Sequence, residues 1–390
     1  MSGTPKRAST GPGGSSASLS RRGFARAWSE RCSTTAMQAE PASEAPEPVR
    51  VKPASDVPAS CWDDYVRRNP QGTLCHLRAW LDTVGAAYPY ESHSLVAERG
   101  GVLCGALPLY RAPVFPSGAA LISSPAAIYG GIIADDPAAA RALLTSAAEL
   151  ADRFRVRYLE LRNRTATGNL QVKNLYVTFR KPIARDPERN MRAIPTRPRT
   201  AIRRGIRLGL EAELGGEELL REFYRVYSIN MRDLGSPPYP PSFFQGLLRA
   251  FGNDCRILIV RHKSRAVGGA AAFFFRNEVL PYWGASIRSA ARELCVNDFM
   301  YWTLLSRAAE RGCELFDFGR SKVGTGAYHF KRHWGFEPTP LPYQYHLVTQ
   351  KNLPDLSPLN PGFSLPILLW KRMPISITRW LGPKLLRFFP

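Results

Sequence analysis

The side chains best able to do chemistry crowd into one stretch. From Leu315 to Phe336 the chain reads Leu-Phe-Asp317-Phe-Gly319-Arg320-Ser321-Lys322-Val-Gly324-Thr325-Gly326-Ala-Tyr328-His329-Phe330-Lys331-Arg332-His333-Trp334-Gly335-Phe336. The apolar run ending at Phe318 predicts a buried strand. A glycine-rich basic loop follows it, and a helix starts near Thr325. Such a loop and helix N-terminus aim main-chain N–H groups at one point, which attracts phosphate or an oxyanion. Arg320 and Lys322 add charge. Gly324-Thr325-Gly326 forms neither a Walker loop nor a GxGxxG turn. His329 and His333 stand four apart, a metal-binding spacing, but no third ligand accompanies them and no metal is expected.

Other candidates lie upstream. Tyr282 and Trp283 sit on an expected strand, where they either line an acceptor groove or belong to the core. Asn297 precedes a helix, as a groove residue or as its N-cap. Residues 181–207 hold nine basic side chains against Asp186 and Glu188. Arg199, Arg203, Arg204 and Arg207 fall on a predicted helix there. They read either as contacts to a tRNA or another phosphate, or as a solvated face.

The elements that must position these residues recur. Leu74–Ala87 reads as an amphipathic helix, 94–97 and 102–109 as strands, 138–153 as a helix, and 157–162 and 175–180 as strands. The second half repeats the order, with strands at 256–260, 266–275 and 279–283, a helix at 297–311 and a strand at 314–318. Tyr-Leu-Glu-Leu-Arg at 158–162 aligns with Leu-Phe-Asp-Phe-Gly-Arg at 315–320. A repeat of this length predicts two copies of one α+β fold. The expected division is 1–55 as a disordered extension, 56–185 and 190–348 as the two copies, and 349–390 as a Pro-rich basic amphipathic tail. Met37 is read as the start of translation.

Phe316-Asp317-Phe318-Gly319-Arg320-Ser321-Lys322, Gly324-Thr325-Gly326, Phe330-Lys331 and Trp334-Gly335-Phe336 resemble FemAB-like proteins, and more narrowly the FemAB-related group associated with PEP-CTERM/exosortase systems. Arg203-Arg204-Gly205-Ile206, Val279-Leu280-Pro281-Tyr282, Asn297 to Trp302 and Asn352 to Pro361 match as well. The resemblance is strong over 190–375, looser over 56–185, and does not reach 1–50. It implies tandem GNAT-like (acyl-CoA N-acyltransferase-like) domains with the acyl-donor groove in the second. It also implies transfer of an acyl or aminoacyl group, from acyl-CoA or aminoacyl-tRNA, to an amine in envelope or exopolysaccharide biosynthesis. The acceptor would be a sugar, peptide or lipid-linked precursor. Lys331, beside Phe330, matches the lysine that stabilises the tetrahedral oxyanion in FemAB proteins, where one well-placed donor is worth about 3 kcal/mol. Asp317 would orient the acceptor amine or act as base, unless it is a core carboxylate paired with Arg320. Long inserted helices that assist tRNA binding in some relatives are not evident, so the donor stays open.

Bulk properties set limits. The chain has 390 residues and a net charge of +21, which favours anionic partners without naming one. Seven widely spaced cysteines without a CxxC pair predict neither a disulfide framework nor a zinc site, and favour the cytoplasm. No segment is apolar for long enough to span a bilayer. The tail from Lys351 mixes Trp, Leu and Phe with six basic residues and one acidic one. It reads either as peripheral membrane contact through 362–390 or as an arm folded over one domain. Three rival functions accompany the transferase reading: an acyl-CoA enzyme with no tRNA role, a non-catalytic scaffold of an exopolysaccharide assembly, and a nucleic-acid-binding module.

Overall fold

A computed structural model of the chain describes residues 47–355 and 361–390. The expected extension up to residue 46, with Met37 and Cys32, lies outside the described residues, as do 356–360 of the matching stretch. Residues 47–55 are described, and there the expectation of disorder fails. Arg50–Pro53 forms a strand because its main chain finds a ladder partner and Val51 packs on the first-half core.

In chain order the first half runs β1 (Arg50–Pro53), α1 (Ala59–Arg68), α2 (Arg78–Ala87), β2 (Glu91–Ser92), β3 (Leu95–Arg99), β4 (Val102–Leu107), β5 (Tyr110–Pro113), β6 (Ala119–Ile122), β7 (Ile133–Ala134), α3 (Pro137–Arg153), β8 (Tyr158–Arg162) and β9 (Gln171–Pro182). The second runs α4 (Pro187–Ala193), α5 (Thr196–Arg207), β10 (Leu210–Gly215), α6 (Leu220–Leu234), α7 (Pro241–Phe251), β11 (Cys255–His262), β12 (Arg265–Phe275) and β13 (Glu278–Ser286). It continues with α8 (Arg288–Leu294), α9 (Val296–Glu310), β14 (Leu315–Asp317), β15 (Ser321–Lys322), α10 (Gly326–His333) and β16 (Pro338–Leu347). Two helices close the chain, α11 (Ser364–Arg372) and α12 (Ile375–Leu386).

The single helix expected over 74–87 is broken. Leu74–His76 is a short 3-10 turn closed by a capping box between Thr73 and His76, and α2 starts after Leu77. Asn297 does not cap α9. The cap position is Cys295, in the left-handed region at φ 59°, and Asn297 lies in the first turn.

One small sheet has the order β1-β3-β4-β7, and a 12-stranded sheet runs β10-β11-β12-β13-β14-β9-β16-β8-β6-β5-β2 with β15 on β9. The two halves exchange strands. First-half β9 lies against β14 of the second half, and second-half β16 lies between β8 and β9. An aromatic core joins the halves: Trp62, Trp80, Phe223, Phe243, Phe244 and Phe273 belong to one buried cluster, with Trp80 against Phe243 and Phe273. Buried aromatic pairs of this kind add to the area they remove from water.

The second-half sheet splits at one place. β13 and β14 pair in parallel only at Glu278–Leu315 and Val279–Phe316. Beyond these rungs β13 continues beside β12 alone, while Asp317 pairs with Arg180 of β9. A bulge leaves Tyr282 without a partner on β12, which bends a strand and twists it away from its neighbour.

Candidate functional site

Asp317 ends β14 and is buried. Its carboxylate accepts hydrogen bonds from the Tyr129 hydroxyl at 2.8 Å, the Gly319 N–H at 2.7 Å and the Thr178 hydroxyl at 3.3 Å. The Arg180 guanidinium lies 3.2 Å away and also pairs with Glu278. The core pairing is therefore with Arg180, not Arg320. Burial pushes the Asp317 carboxyl upward, against the pull of Arg180.

Lys331 is buried beneath the same loop. Its ammonium donates to the carbonyl oxygens of Phe318, Gly319 and Arg320 at 2.7, 3.0 and 3.2 Å. Burial lowers its pKa to about 7, while three carbonyl partners match the three N–H groups of the charged form. Arg320 turns inward. It donates to the Tyr343 hydroxyl at 3.0 Å and stacks 4.5 Å from the Tyr176 ring centroid. Lys322 is held down to about 8 by burial, then by Arg320 and Lys173. Gly324 and Gly326 are exposed, and Thr325 caps α10.

The structure thus brings Asp317, Gly319, Arg320 and Lys331 together. Tyr282 approaches from the bulge and donates to the Ala126 carbonyl at 2.8 Å. Trp283 lies parallel to Trp80 at 6.1 Å, within the aromatic core. Phe330 is half-buried beside Tyr301 and Phe318. Asn297 and the α5 arginines are elsewhere. α5 packs on α9, with Arg204 facing Cys295 and Arg197 facing Asp298. Arg203, Arg204 and Arg207 are exposed, and among the described residues none of them, nor Arg199, has an ion-pair partner. Asp298, at the start of α9, accepts from the Trp334 indole at 2.9 Å.

On the other side of the Asp317 network lies a cavity of about 780 Å³. Thr178 and Arg180 belong to both the network and the cavity wall. The rest of the wall includes the Gly130–Pro137 segment, the 164–168 loop after β8 and the 339–341 part of β16. Only glycine fits at 131, since a Cβ there would stand 1.9 Å from the Asn163 side-chain oxygen. That oxygen accepts the Ile132 N–H at 2.8 Å, and the Asn163 amide donates to Gln344 of β16 at 2.8 Å. His76 bonds the Gly131 carbonyl through Nε2 at 3.0 Å and Thr73 through Nδ1. Burial lowers its pKa to about 4, so it is neutral.

The charges around the cavity divide into committed and uncommitted ones. Arg162 is satisfied by Glu160 and by the carbonyls of Ser124, Ala127 and Pro390. Asp135 accepts from Tyr65 and Asn69, while Asp136 caps α3 and pairs with Arg99. Arg141 and Arg164 have no ion-pair partner among the described residues, and Arg164 lies 5.3 Å over the Tyr129 ring. Asp135, bonded only to neutral groups and without an ion-pair partner among the described residues, offsets one of these two arginines, so the uncompensated charge of the cavity remains positive, which suits an anionic ligand.

Sequence reasoning missed His76, Tyr129, Arg141, Arg164 and Arg180. A signal was present in the internal repeat. Asn163-Arg164 follows β8 as Phe318-Gly319-Arg320 follows β14, so the loop after each copy's strand was a candidate.

Residues 196–332 match the family model of an acetyltransferase (GNAT) domain. This match spans α5 to α10, including the place where β13 and β14 part. Among solved structures, the chain resembles FemX with a TM-score of 0.59 and 16% identity, covering 79% of this chain and 98% of that one. The C-terminal domain (DUF2156) of a putative lysylphosphatidylglycerol synthetase from Agrobacterium fabrum gives a TM-score of 0.49 and 13% identity, over 74% and 90% of the two chains. A tandem GNAT protein from the clavulanic acid biosynthesis pathway gives 0.47 and 16%, over 78% and 100%. No curated protein matches in sequence. The fold is α+β and tandem GNAT-like. Among the described residues no helix is long and apolar enough to cross a membrane.

Proposed function

We propose that the chain transfers an acyl group from a thioester of the acyl-CoA type to the amine of an acceptor that also carries an anionic group. The observation behind this reading is one shared wall. The GNAT domain's β13 and β14 separate beside Asp317, and Asp317 bonds the Thr178 and Arg180 that line the cationic cavity. The donor carbonyl enters from the strand split. The acceptor's anion rests near Arg141 and Arg164, and its amine reaches toward the strand end. The amine nitrogen attacks the carbonyl carbon, the C–N bond forms, the C–S bond breaks, and the departing thiolate takes the proton that the amine loses. Lys331 holds its ammonium against the carbonyls that follow the strand end. It meets the developing oxyanion by exchanging one of its three carbonyl partners. Asp317, with its acceptor positions filled, orients Arg180 and Tyr129. The envelope or exopolysaccharide setting follows from the sequence resemblance.

The test is thiol release from acetyl-CoA by the purified full chain with matched amines that carry or lack a phosphate. Arg141→Ala and Arg164→Ala should each raise KM for the phosphorylated amine about tenfold and leave kcat nearly unchanged. Equal KM values for both amines would remove the cavity from the reading.

Aminoacyl-tRNA as donor is the second reading, supported by Arg199, Arg203, Arg204 and Arg207 on α5, which have no ion-pair partner among the described residues. Saturable binding of charged tRNA that weakens with salt, without acetyl-CoA binding, would establish it. Binding of neither donor would favour the scaffold.

A further inference from the structure

The two closing helices are apolar on both faces. α11 sets Trp370 against the body, its indole donating to the Ser236 carbonyl at 3.1 Å, with Ile367 beside Gly235. α12 buries Thr378 and Gly382, the latter tight against Pro238, and Arg379 donates to the Ser228 hydroxyl at 2.9 Å. Both helices contact α6. The tail is thus an arm folded over the body. Yet the outward side of α11 shows Leu365, Leu368 and Leu369, spaced i, i+3 and i+4, and that of α12 shows Ile377 and Trp380. Leu365 is 63% exposed and Trp380 64%.

A helix docked on one face and wet on the other ordinarily carries polar side chains outward. Here large apolar side chains point to solvent, away from α6, which marks an unfilled interaction face. Residues 362–390 hold Lys371, Arg372, Arg379, Lys384 and Arg387 and no acidic residue. All but Arg379 are exposed. The Lys384 ammonium sits 3.7 Å over the Trp380 ring, placing a cation beside an amphipathic ring that favours the headgroup level. Phe115, exposed at the β5–β6 turn, lies 5.9 Å from Phe389 and 5.7 Å from Phe363 and extends the apolar surface onto the body.

We propose that α11 and α12 dock the protein on an anionic membrane surface, with Leu365, Leu368, Leu369, Ile377 and Trp380 in the interface and the basic residues on phosphate headgroups. A protein partner would satisfy the leucines as well. The wholly basic charge of the tail selects the lipid. The arm is fixed at its far end too. Tyr90 donates to the Arg387 carbonyl at 2.9 Å, and Arg162, which lines the cavity, donates to the Pro390 carbonyl at 2.7 Å. Docking therefore fixes how the cavity is carried relative to the bilayer.

The test is cosedimentation of the full chain with vesicles of phosphatidylcholine alone or mixed with phosphatidylglycerol. Mixed vesicles should bind at least tenfold more tightly, with the difference shrinking as salt is raised. Quenching of tryptophan by brominated lipid should fall in Trp380→Phe. Leu368→Glu with Leu369→Glu, or Lys371→Glu with Arg372→Glu, should each weaken binding at least tenfold with unchanged far-ultraviolet dichroism and melting. Transfer to a water-soluble amine should be unaffected by these variants, so the docking and the chemistry fail separately. Absence of binding to mixed vesicles would overturn the proposal. So would a dimer in sedimentation velocity that Trp380→Glu dissociates, because the face would then be covered by a second copy.

Discussion

Lys331 serves three main-chain oxygens with one ammonium group, so its loss acts first on the loop it holds. Lys331→Met leaves the carbonyls of residues 318–320 without donors in a buried setting, at about 1–3 kcal/mol for each unsatisfied group. The expected outcome is a denaturation midpoint lowered by several kcal/mol of stability. Urea titration checks it, and an unchanged midpoint would place the lysine outside the fold's support. An activity loss in this variant is interpretable only beside that measurement. His76 makes the opposite kind of prediction, one of pH. Its folded pKa is depressed from 6.5 to about 4 by burial, with Arg164 acting in the same direction. Between those values the unfolded chain binds a proton that the folded chain refuses. Stability contributed by the neutral ring is therefore complete above about pH 6.5 and lost as pH falls toward 4, by roughly 3 kcal/mol in all. Melting temperatures across that range should fall with pH in the native chain, and this part of the fall should vanish in His76→Gln. Neither role was legible in the sequence. A lone histidine and a lysine in a basic run look alike until burial and partners are known.

At the scale of elements, periodicity located what it normally locates. The hairpins 95–107 and 255–275 and the helices 137–153 and 296–310 carry their own signals, an alternation or a 3.6-residue apolar period closed by turn residues. The strand split was not legible, because it depends on where the pairing of β13 with β14 stops and on a bulge at Tyr282, both matters of register between distant segments. The same limit hid the cavity. In the sequence Gly131 is simply the second of two adjacent glycines. Its meaning is a close approach to Asn163, which Gln344 of β16 holds in place from 181 residues further on. The chemistry-bearing stretch 315–336 was visible because strand, loop and helix are contiguous. Its partner wall was invisible because it comes from β9 and the 129–137 segment.

For the whole molecule, the repeat was readable and its interlocking was not. Reading two copies in series places a boundary between residues 185 and 190, yet β9 and β16 each complete the sheet of the opposite half. Chains cut there should behave poorly in isolation. Residues 47–185 expressed alone leave β8 and β9 without the strand between them, and residues 190–390 leave β14 with β13 alone and β16 without either partner. Each piece should lack a cooperative melt, and mixing the two should restore one. Scanning calorimetry of the pieces and of the mixture checks this, and a sharp transition in either piece alone would contradict it. The +21 charge and the basic tail belong to this scale too, since they act on an anionic surface as a whole. The strand exchange also has a consequence in time. A growing polypeptide presents its amino-terminal part first, but here that part cannot close its sheet until residues 338–347 have been made. From the completion of β9 until β16 has been made the facing edges of β8 and β9 stand open, so a nascent chain of this protein depends on a holding chaperone or on fast elongation more than a string of two independent domains would.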